Sequence, residues 1–103
     1  MSFNALFIAH APDADKSVHR STINTGMYKL ITVCVKNQTE ALEVCDKLVK
    51  PEQIDSILLC PGFSHQDAAE IVNATDNKVA VVVARGDAPS GGIVQDAMQR
   101  AGY

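Results

Sequence analysis

The sequence predicts a single α/β domain with a four-stranded, mainly parallel sheet. Two observations carry this prediction. Four short segments are apolar without alternating polar residues, which is typical of strands covered on both faces in parallel sheets. Each is followed by a connection or terminal segment with helical features, which gives the order βαβαβαβα. The apolar segments are residues 5–9, 30–35, 57–60 and 79–84.

Two closures of the sheet fit this order. One is a flavodoxin-like open sheet with helices on both faces, and the other is half of a (β/α)8 barrel that another subunit completes or flanks. The order of elements does not separate them. In both, the outer strands leave backbone groups unpaired, and a chain of this size has few elements with which to cover them. We therefore expect a homo-oligomer.

The first connection is long enough for a crossover helix, which we place over residues 15–24, closed by Gly26 in the left-handed conformation. Asn37 is the expected N-cap of the second helix, with Glu40 three residues on and Pro51 as the stop. Its apolar face is predicted at helical spacing over Ala41, Leu42, Cys45, Leu48 and Val49.

The third helix is predicted to begin at Ser64, with Asp67 completing a capping box, and to end before an Asp76-Asn77 turn. The last helix is expected to start near Gly92, with Gly102 in the left-handed conformation at its end. Its apolar face comprises Ile93, Val94, Ala97, Met98 and Ala101.

Composition excludes several classes of function. The 103 residues form one expected domain, residues 1–103, with the 47% hydrophobic and 20% charged fractions of a globular protein. We expect no nucleic-acid partner, because the net charge is −3 and the nine Lys and Arg residues are scattered. We expect no membrane partner, because no apolar segment approaches the roughly 18 residues that a membrane helix requires.

The location expected from the sequence is cytoplasmic. No basic region precedes the first apolar segment, as it does in a secretory signal. Cys34, Cys45 and Cys60 have neither a disulfide framework nor CxxC spacing, which favours free thiols in a reducing compartment. The chain lacks the glycine-rich nucleotide motifs GxxxxGK[ST] and GxGxxG, and we expect no cofactor.

Polar and glycine-containing segments follow the predicted strands, and the carboxyl ends of parallel strands are where such sheets bind ligands. His10 follows the first strand directly and is a candidate acid or base, since imidazole exchanges protons near neutral pH. The alternative is a histidine that only hydrogen-bonds a neighbouring carbonyl. Asp13, three residues further on, is counted among the candidate ligand-binding residues.

Residues 60–65 close the third strand and open the third helix. Cys60 is a candidate nucleophile if the helix N-terminus and a nearby histidine favour its thiolate, although an apolar role at the strand end is the commoner one. Gly62 allows a close approach to a ligand, and Ser64 lies where backbone N–H groups are available to an anion.

Arg85 and Asp87 follow the fourth strand, ahead of glycines at 91 and 92. The planar guanidinium of Arg85 suits a carboxylate or phosphate, and the glycines let backbone amides face an anion at the start of the last helix. The alternative is an ion pair between Arg85 and Asp87 or Asp13 that holds the loops together.

A metal site is chemically conceivable at His10, Asp13, Asp15 and His19, because imidazole and carboxylate groups suit zinc or non-haem iron. Their spacing matches no standard metal motif, and Asp13 or Asp15 serves equally well as a helix cap. We therefore expect no essential metal.

Five segments carry a resemblance to a known family: residues 4–15, 19–20, 28–30, 59–63 and 83–87. The most specific are the His-Ala-Pro-Asp-Ala-Asp and Cys-Pro-Gly-Phe sequences within them. Together the segments, which extend over nearly the whole chain, resemble a family of small bacterial proteins classed as a domain of unknown function. The resemblance implies that these strand-end segments belong to one kind of protein, and it assigns no activity to the chain.

The function expected from the residues is binding of a small anionic or carbonyl-bearing metabolite at the strand ends, with a proton-transfer or lyase-type step as an extension. The alternative is a non-catalytic self-assembling or partner-docking module, in which His10, Arg85 and Asp87 form a structural cluster. Convergence of His10, Cys60 and Arg85 on one open pocket favours binding, and burial in mutual hydrogen bonds favours the module.

Overall fold

Five strands form one mixed sheet in the order β2-β3-β1-β4-β5 in a computed structural model that describes residues 1–103. The strands are β1 (Phe3–His10), β2 (Arg20–Asn24), β3 (Tyr28–Val35), β4 (Ser56–Leu59) and β5 (Ala80–Val83). The helices are α1 (Gln38–Leu48), α2 (His65–Ala74) and α3 (Gly91–Ala101), with a 3-10 turn, Ala88–Ser90, before α3. None of the three helices has the length and apolarity needed to cross a bilayer.

The predicted α/β class and the four predicted strands are confirmed. Each apolar segment overlaps one strand, and β1, β3, β4 and β5 are all mutually parallel along the sheet. The strand count was wrong, because β2 pairs antiparallel with β3 at the edge of the sheet. The predicted order contained no antiparallel strand at this edge.

The predicted helix over residues 15–24 was wrong. A loop occupies its first half, and β2 occupies the second and forms a hairpin with β3. The region is rich in β-branched side chains, which favour strands over helices. Gly26 does take the left-handed conformation, with φ of 100°, but it lies in the hairpin turn, where its N–H donates to Asn24 Oδ1 over 2.8 Å.

The next two helices begin where the capping residues predict. Asn37 Oδ1 accepts the Glu40 N–H over 3.0 Å at the start of α1. At the start of α2, Ser64 Oγ accepts the Asp67 N–H over 3.1 Å and the Asp67 carboxylate accepts the Ser64 N–H over 3.0 Å. Both helices pack on one face of the sheet, above the core residues Leu6, Ile8, Val33, Val35, Ile57, Leu59 and Ile71.

The other face of the sheet is not covered by a helix, contrary to the predicted cover on both faces. The third helix begins and ends as predicted, with Gly102 at φ of 98°. However, none of its residues is buried. It runs from the end of β5 toward the end of β1, where the Tyr103 hydroxyl donates to the His10 carbonyl over 3.3 Å. Its apolar residues therefore do not reach the core.

Candidate functional site

The carboxyl ends of β1, β4 and β5 lie side by side at one edge of the sheet. The chain leaves β1 toward β3 on one side, and it leaves β4 toward β5 on the other. In open parallel sheets, a crevice for ligands forms where neighbouring connections diverge in this way. The residues that follow β1 and β4 therefore occupy the position in the sheet where a ligand is expected.

His10 lies at this position with its ring stacked on Phe63, at a centroid distance of 4.0 Å and an interplanar angle of 21°. The ring atom Nε2 is buried and has no hydrogen-bond partner. A buried polar atom without a partner is uncommon in folded proteins and calls for an explanation. The His10 ring thus carries a nitrogen that is unpaired within the chain and is not in contact with the cavity described below.

Gly62 lets the residues after β1 and β4 come together. A Cβ atom at this position would lie 3.3 Å from His10 Nδ1 and 3.6 Å from Cys60 Sγ. The first distance is tighter than most Cβ contacts, so glycine permits the close approach of the loop to the imidazole. The predicted neighbours His10, Cys60 and Gly62 are therefore adjacent, although no hydrogen bond joins the Cys60 thiol to a histidine.

A cavity of about 760 Å³ opens beside this group, between the loop after β5 and one side of α3. Pro61, Arg85, Gly86 and Asp87 line it from the strand ends. Its remaining walls come from the 3-10 turn, from α3 and from Tyr103 beyond the end of α3, and they are Ala88, Ser90, Gly91, Val94, Gln95, Met98, Gln99 and Tyr103. His10 and Cys60 do not line this cavity. The predicted residues therefore form two adjoining groups, and they neither converge on one pocket nor bury one another.

Arg85 and Asp87 form the ion pair considered from the sequence, with 2.6 Å between Arg85 Nε and Asp87 Oδ1. Their side chains are 86% and 56% exposed, and exposed pairs of this kind contribute at most about 1 kcal/mol to stability. Only Nε is engaged, so the terminal nitrogens of the guanidinium remain available to an anion. The pair orients Arg85 at the cavity without occupying its whole donor set.

The start of α3 borders the same cavity through Ser90 and Gly91. No side chain caps this helix, in contrast to α1 and α2. The N-terminal end of a helix carries a partial positive charge, which adds to that of Arg85. The cavity therefore combines a guanidinium with a helix start on one wall.

The other predicted site residues have structural roles or stay apart. The Ser64 hydroxyl is committed to the α2 cap. Asp13 is exposed in a turn after β1. The Asp15 carboxylate accepts both the hydroxyl and the backbone N–H of Ser17, and these bonds lower its pKa. His19 Nδ1 accepts the Asp15 N–H over 2.9 Å, and no three His, Cys, Asp or Glu side chains come close enough to hold a metal ion.

Sequence reasoning placed Gly91 near an anion at the start of the last helix, but it missed the rest of the α3 side of the cavity. Gly91, Gln95, Gln99 and Tyr103 recur at four-residue spacing and line it together. This polar stripe was visible beside the apolar residues of α3, but only the position of the helix shows that it faces the strand ends. Phe63, the stacking partner of His10, was also not assigned a role in the site.

Residues 3–99 match the family of unknown function DUF6506. The match spans almost the whole chain, so the chain belongs to this family. No curated protein and no solved structure gives a significant match.

Proposed function

We propose that this member of DUF6506 binds a small anionic or carbonyl-bearing metabolite in the cavity beside the carboxyl ends of β4 and β5. The observation that carries the proposal is the cavity itself, with Arg85 and the start of α3 on its wall. Its volume of about 760 Å³ lies within the range of roughly 300 to 1,000 Å³ that is usual for small-molecule sites.

The lining indicates the chemistry of the ligand. An anionic group is stabilised next to Arg85, where the guanidinium and the helix start carry positive charge. Val94 and Met98 offer apolar contact on the α3 side, while the amides of Gln95 and Gln99 offer donors and acceptors. This combination favours a short molecule with a carboxylate or phosphate at one end and a polar or carbonyl-bearing body.

A proton-transfer or lyase-type step is an extension of this proposal. His10 would act as acid or base once a ligand reaches its Nε2, which is buried and has no partner within the chain. Cys60 lies beside Gly62 and His10 in the same group. Pro61 lies between Cys60 and Gly62 in the chain and also lines the cavity, so a ligand there contacts the loop that packs against His10.

Thermal unfolding in the presence of phosphate, sulfate and succinate tests the binding site. At matched ionic strength, each ion that binds only the folded protein raises the melting temperature by linkage. In Arg85→Lys, the planar donor fork is lost and we expect most of that rise to disappear, while the ion-free melting temperature changes little. Arg100→Lys is the matched control, because Arg100 lies in the last turn of α3, outside the cavity lining.

A second candidate function, the non-catalytic module, is favoured by the Arg85–Asp87 ion pair and by the stacked ring of His10. It predicts the opposite pattern in the same experiment. The wild type would show no specific response to anions, and Arg85→Lys would lower the ion-free melting temperature by disturbing the pair. Equal anion responses in wild type and Arg85→Lys would refute the anchoring role of Arg85.

A further inference from the structure

One face of the sheet is mostly apolar, without charged residues and without a covering helix, and we name it the open face. By strand register it carries alternate residues of all five strands. They are Phe3, Ala5, Phe7, Ala9, Ser21, Ile23, Tyr28, Leu30, Thr32, Cys34, Ser56, Leu58, Ala80 and Val82. Lys, Arg, Asp and Glu are absent from this set, although they make up 20% of the chain.

Large side chains on the open face are exposed in the single chain. Phe3 is 51% exposed, Ile23 57% and Val82 49%. Phe3 and Tyr28 stack on one another with ring centroids 5.7 Å apart, and this stack is continuous with the row formed by Ile23, Leu30 and Ala5. Contiguous apolar patches on this scale are rare on monomeric proteins and mark interaction surfaces.

The chain exposes more surface than a folded monomer of its mass is expected to expose. A folded monomer of 11.0 kDa is expected to expose about 5,600 Å², whereas this chain exposes 6835 Å². The excess over the whole chain is about 1,200 Å², to which both the open face and the unburied α3 contribute, and a standard protein interface removes roughly 800 Å² from each partner. The radius of gyration of 14.0 Å is also larger than the value of about 12.8 Å expected for this length.

We propose that a second copy of this chain covers the open face, so that two sheets pack face to face in a symmetric dimer. Sheets packed in this way lie about 10 Å apart with their side chains interdigitated. Each copy has a net charge of −3, so the open face is the surface on which two copies meet without opposing like charges. The proposal does not depend on the ligand site.

Light scattering after size exclusion tests the dimer. We expect a mass of about 22 kDa for the wild type at low micromolar concentration, twice the 11.0 kDa of one chain. The double variant Leu58→Lys/Val82→Lys places two charges on the open face, and we expect it to run as a folded monomer with unchanged circular dichroism. Both side chains are partly exposed in the single chain, so the fold does not require their burial.

Two other variants identify the surface. Val18→Lys changes a residue that is 66% exposed in the loop before β2, and we expect it to remain dimeric. Ile93→Lys changes a residue of α3 that is 75% exposed, and we expect it to remain dimeric as well. A monomeric wild type would overturn the proposal. Dissociation by Ile93→Lys, with the double variant still dimeric, would also overturn it and would place the contact on α3.

Thiol labelling provides a test without substitution. Cys34 belongs to the open face, whereas Cys60 lies at the carboxyl edge. We expect labelling of Cys34 to slow as the protein concentration rises through the dissociation constant, while labelling of Cys60 stays constant. A Cys34 labelling rate independent of concentration across the micromolar range would contradict the dimer.

Discussion

The two faces of the sheet are built by the same strands, yet they end in different environments. On the face beneath α1 and α2, Leu6, Ile57 and Leu59 have no exposed surface. On the open face, their immediate neighbours Phe7 and Leu58 are only partly covered, and Leu58 is 37% exposed. Continuous apolar segments predict cover on both faces. Within one chain, the helices supply that cover on one side only.

This difference gives the open face and the core face different contributions to the stability of a single chain. Burying apolar area stabilises the fold by about 25 cal/mol per Å², so side chains on the core face contribute their full area. Side chains on the open face keep part of their apolar area exposed in a single chain, and that area contributes to stability only when a partner covers it. The comparison therefore links folding of the chain to its association.

The largest expected effect is the difference in stability loss between Leu59→Ala and Leu58→Ala. These two leucines are adjacent in β4 and lie on opposite faces of the sheet. Leu59 is fully buried, and its truncation leaves a cavity that we expect to lower the free energy of unfolding by about 2 to 5 kcal/mol. We expect Leu58→Ala to cost less than half as much in dilute solution. Urea unfolding of both variants gives these values.

Protein concentration sharpens this contrast. If a second copy covers the open face, the cost of Leu58→Ala rises with concentration, because dimer formation stabilises only the folded chain. We expect the cost of Leu59→Ala to be independent of protein concentration. Equal losses for the two variants at low concentration would mean that the two faces are equally buried in solution.

Local signals explain which parts of this fold were predictable. The caps of α1 and α2 depend on residues within four positions of each other, such as Ser64 and Asp67, and both helices begin where predicted. The four apolar strands are also a local pattern. By contrast, β2 consists of five exposed residues with one large apolar member, Ile23, so neither hydrophobic alternation nor an apolar segment marks it. Its structure depends on pairing with β3.

For the candidate site, the sequence predicted the edge of the sheet at which it lies, but not which residues meet there. His10 is the last residue of β1, and Cys60 and Arg85 follow β4 and β5, which places all three at the carboxyl end of a parallel sheet. The adjacency of His10 and Cys60 depends on β1 and β4 being neighbours, and strand order is a property of the whole chain. The α3 wall, with Gln95 and Tyr103, depends on where a helix without buried residues lies.

The second prediction compares thiols, because Cys45 packs on the covered face and Cys34 stands on the open one. Burial raises the pKa of Cys45 from 9.0 to about 11. Between these values the unfolded chain releases the Cys45 proton while the folded chain keeps it, so the stability from this group is complete below pH 9 and is lost as the pH rises toward 11. We expect a loss of up to about 3 kcal/mol over this range.

Cys45→Ala isolates this effect, since lysines and tyrosines titrate in the same range in both proteins. We expect the free energy of unfolding of the wild type to fall more steeply than that of Cys45→Ala between pH 9 and 11. Cys34→Ala is the control on the open face and keeps the steep dependence. Parallel curves for wild type and Cys45→Ala would show that the Cys45 thiol is not shielded from solvent.

The smallest expected effect on stability comes from the serines that precede α2 and α3. Ser64 caps α2, which places Ile71 in the core, whereas the side chain of Ser90 caps nothing at the start of α3. We expect Ser64→Ala to lower stability by about 1 kcal/mol, because the Asp67 N–H loses its acceptor. In a domain of this size, that corresponds to a fall of about 4 to 8 °C in melting temperature.

Ser90→Ala is the matched control, and we expect its melting temperature to stay within about 1 °C of the wild type, since surface substitutions without a specific contact cost little. Hydrogen exchange separates the two helices further. Amides of α2 should exchange only through large-scale opening, whereas those of α3 should exchange by local opening, because α3 buries no side chain. If the amides of α3 exchanged as slowly as those of α2 at every protein concentration, contacts within the single chain would stabilise α3. Its apolar residues would then be covered within the monomer, contrary to this comparison.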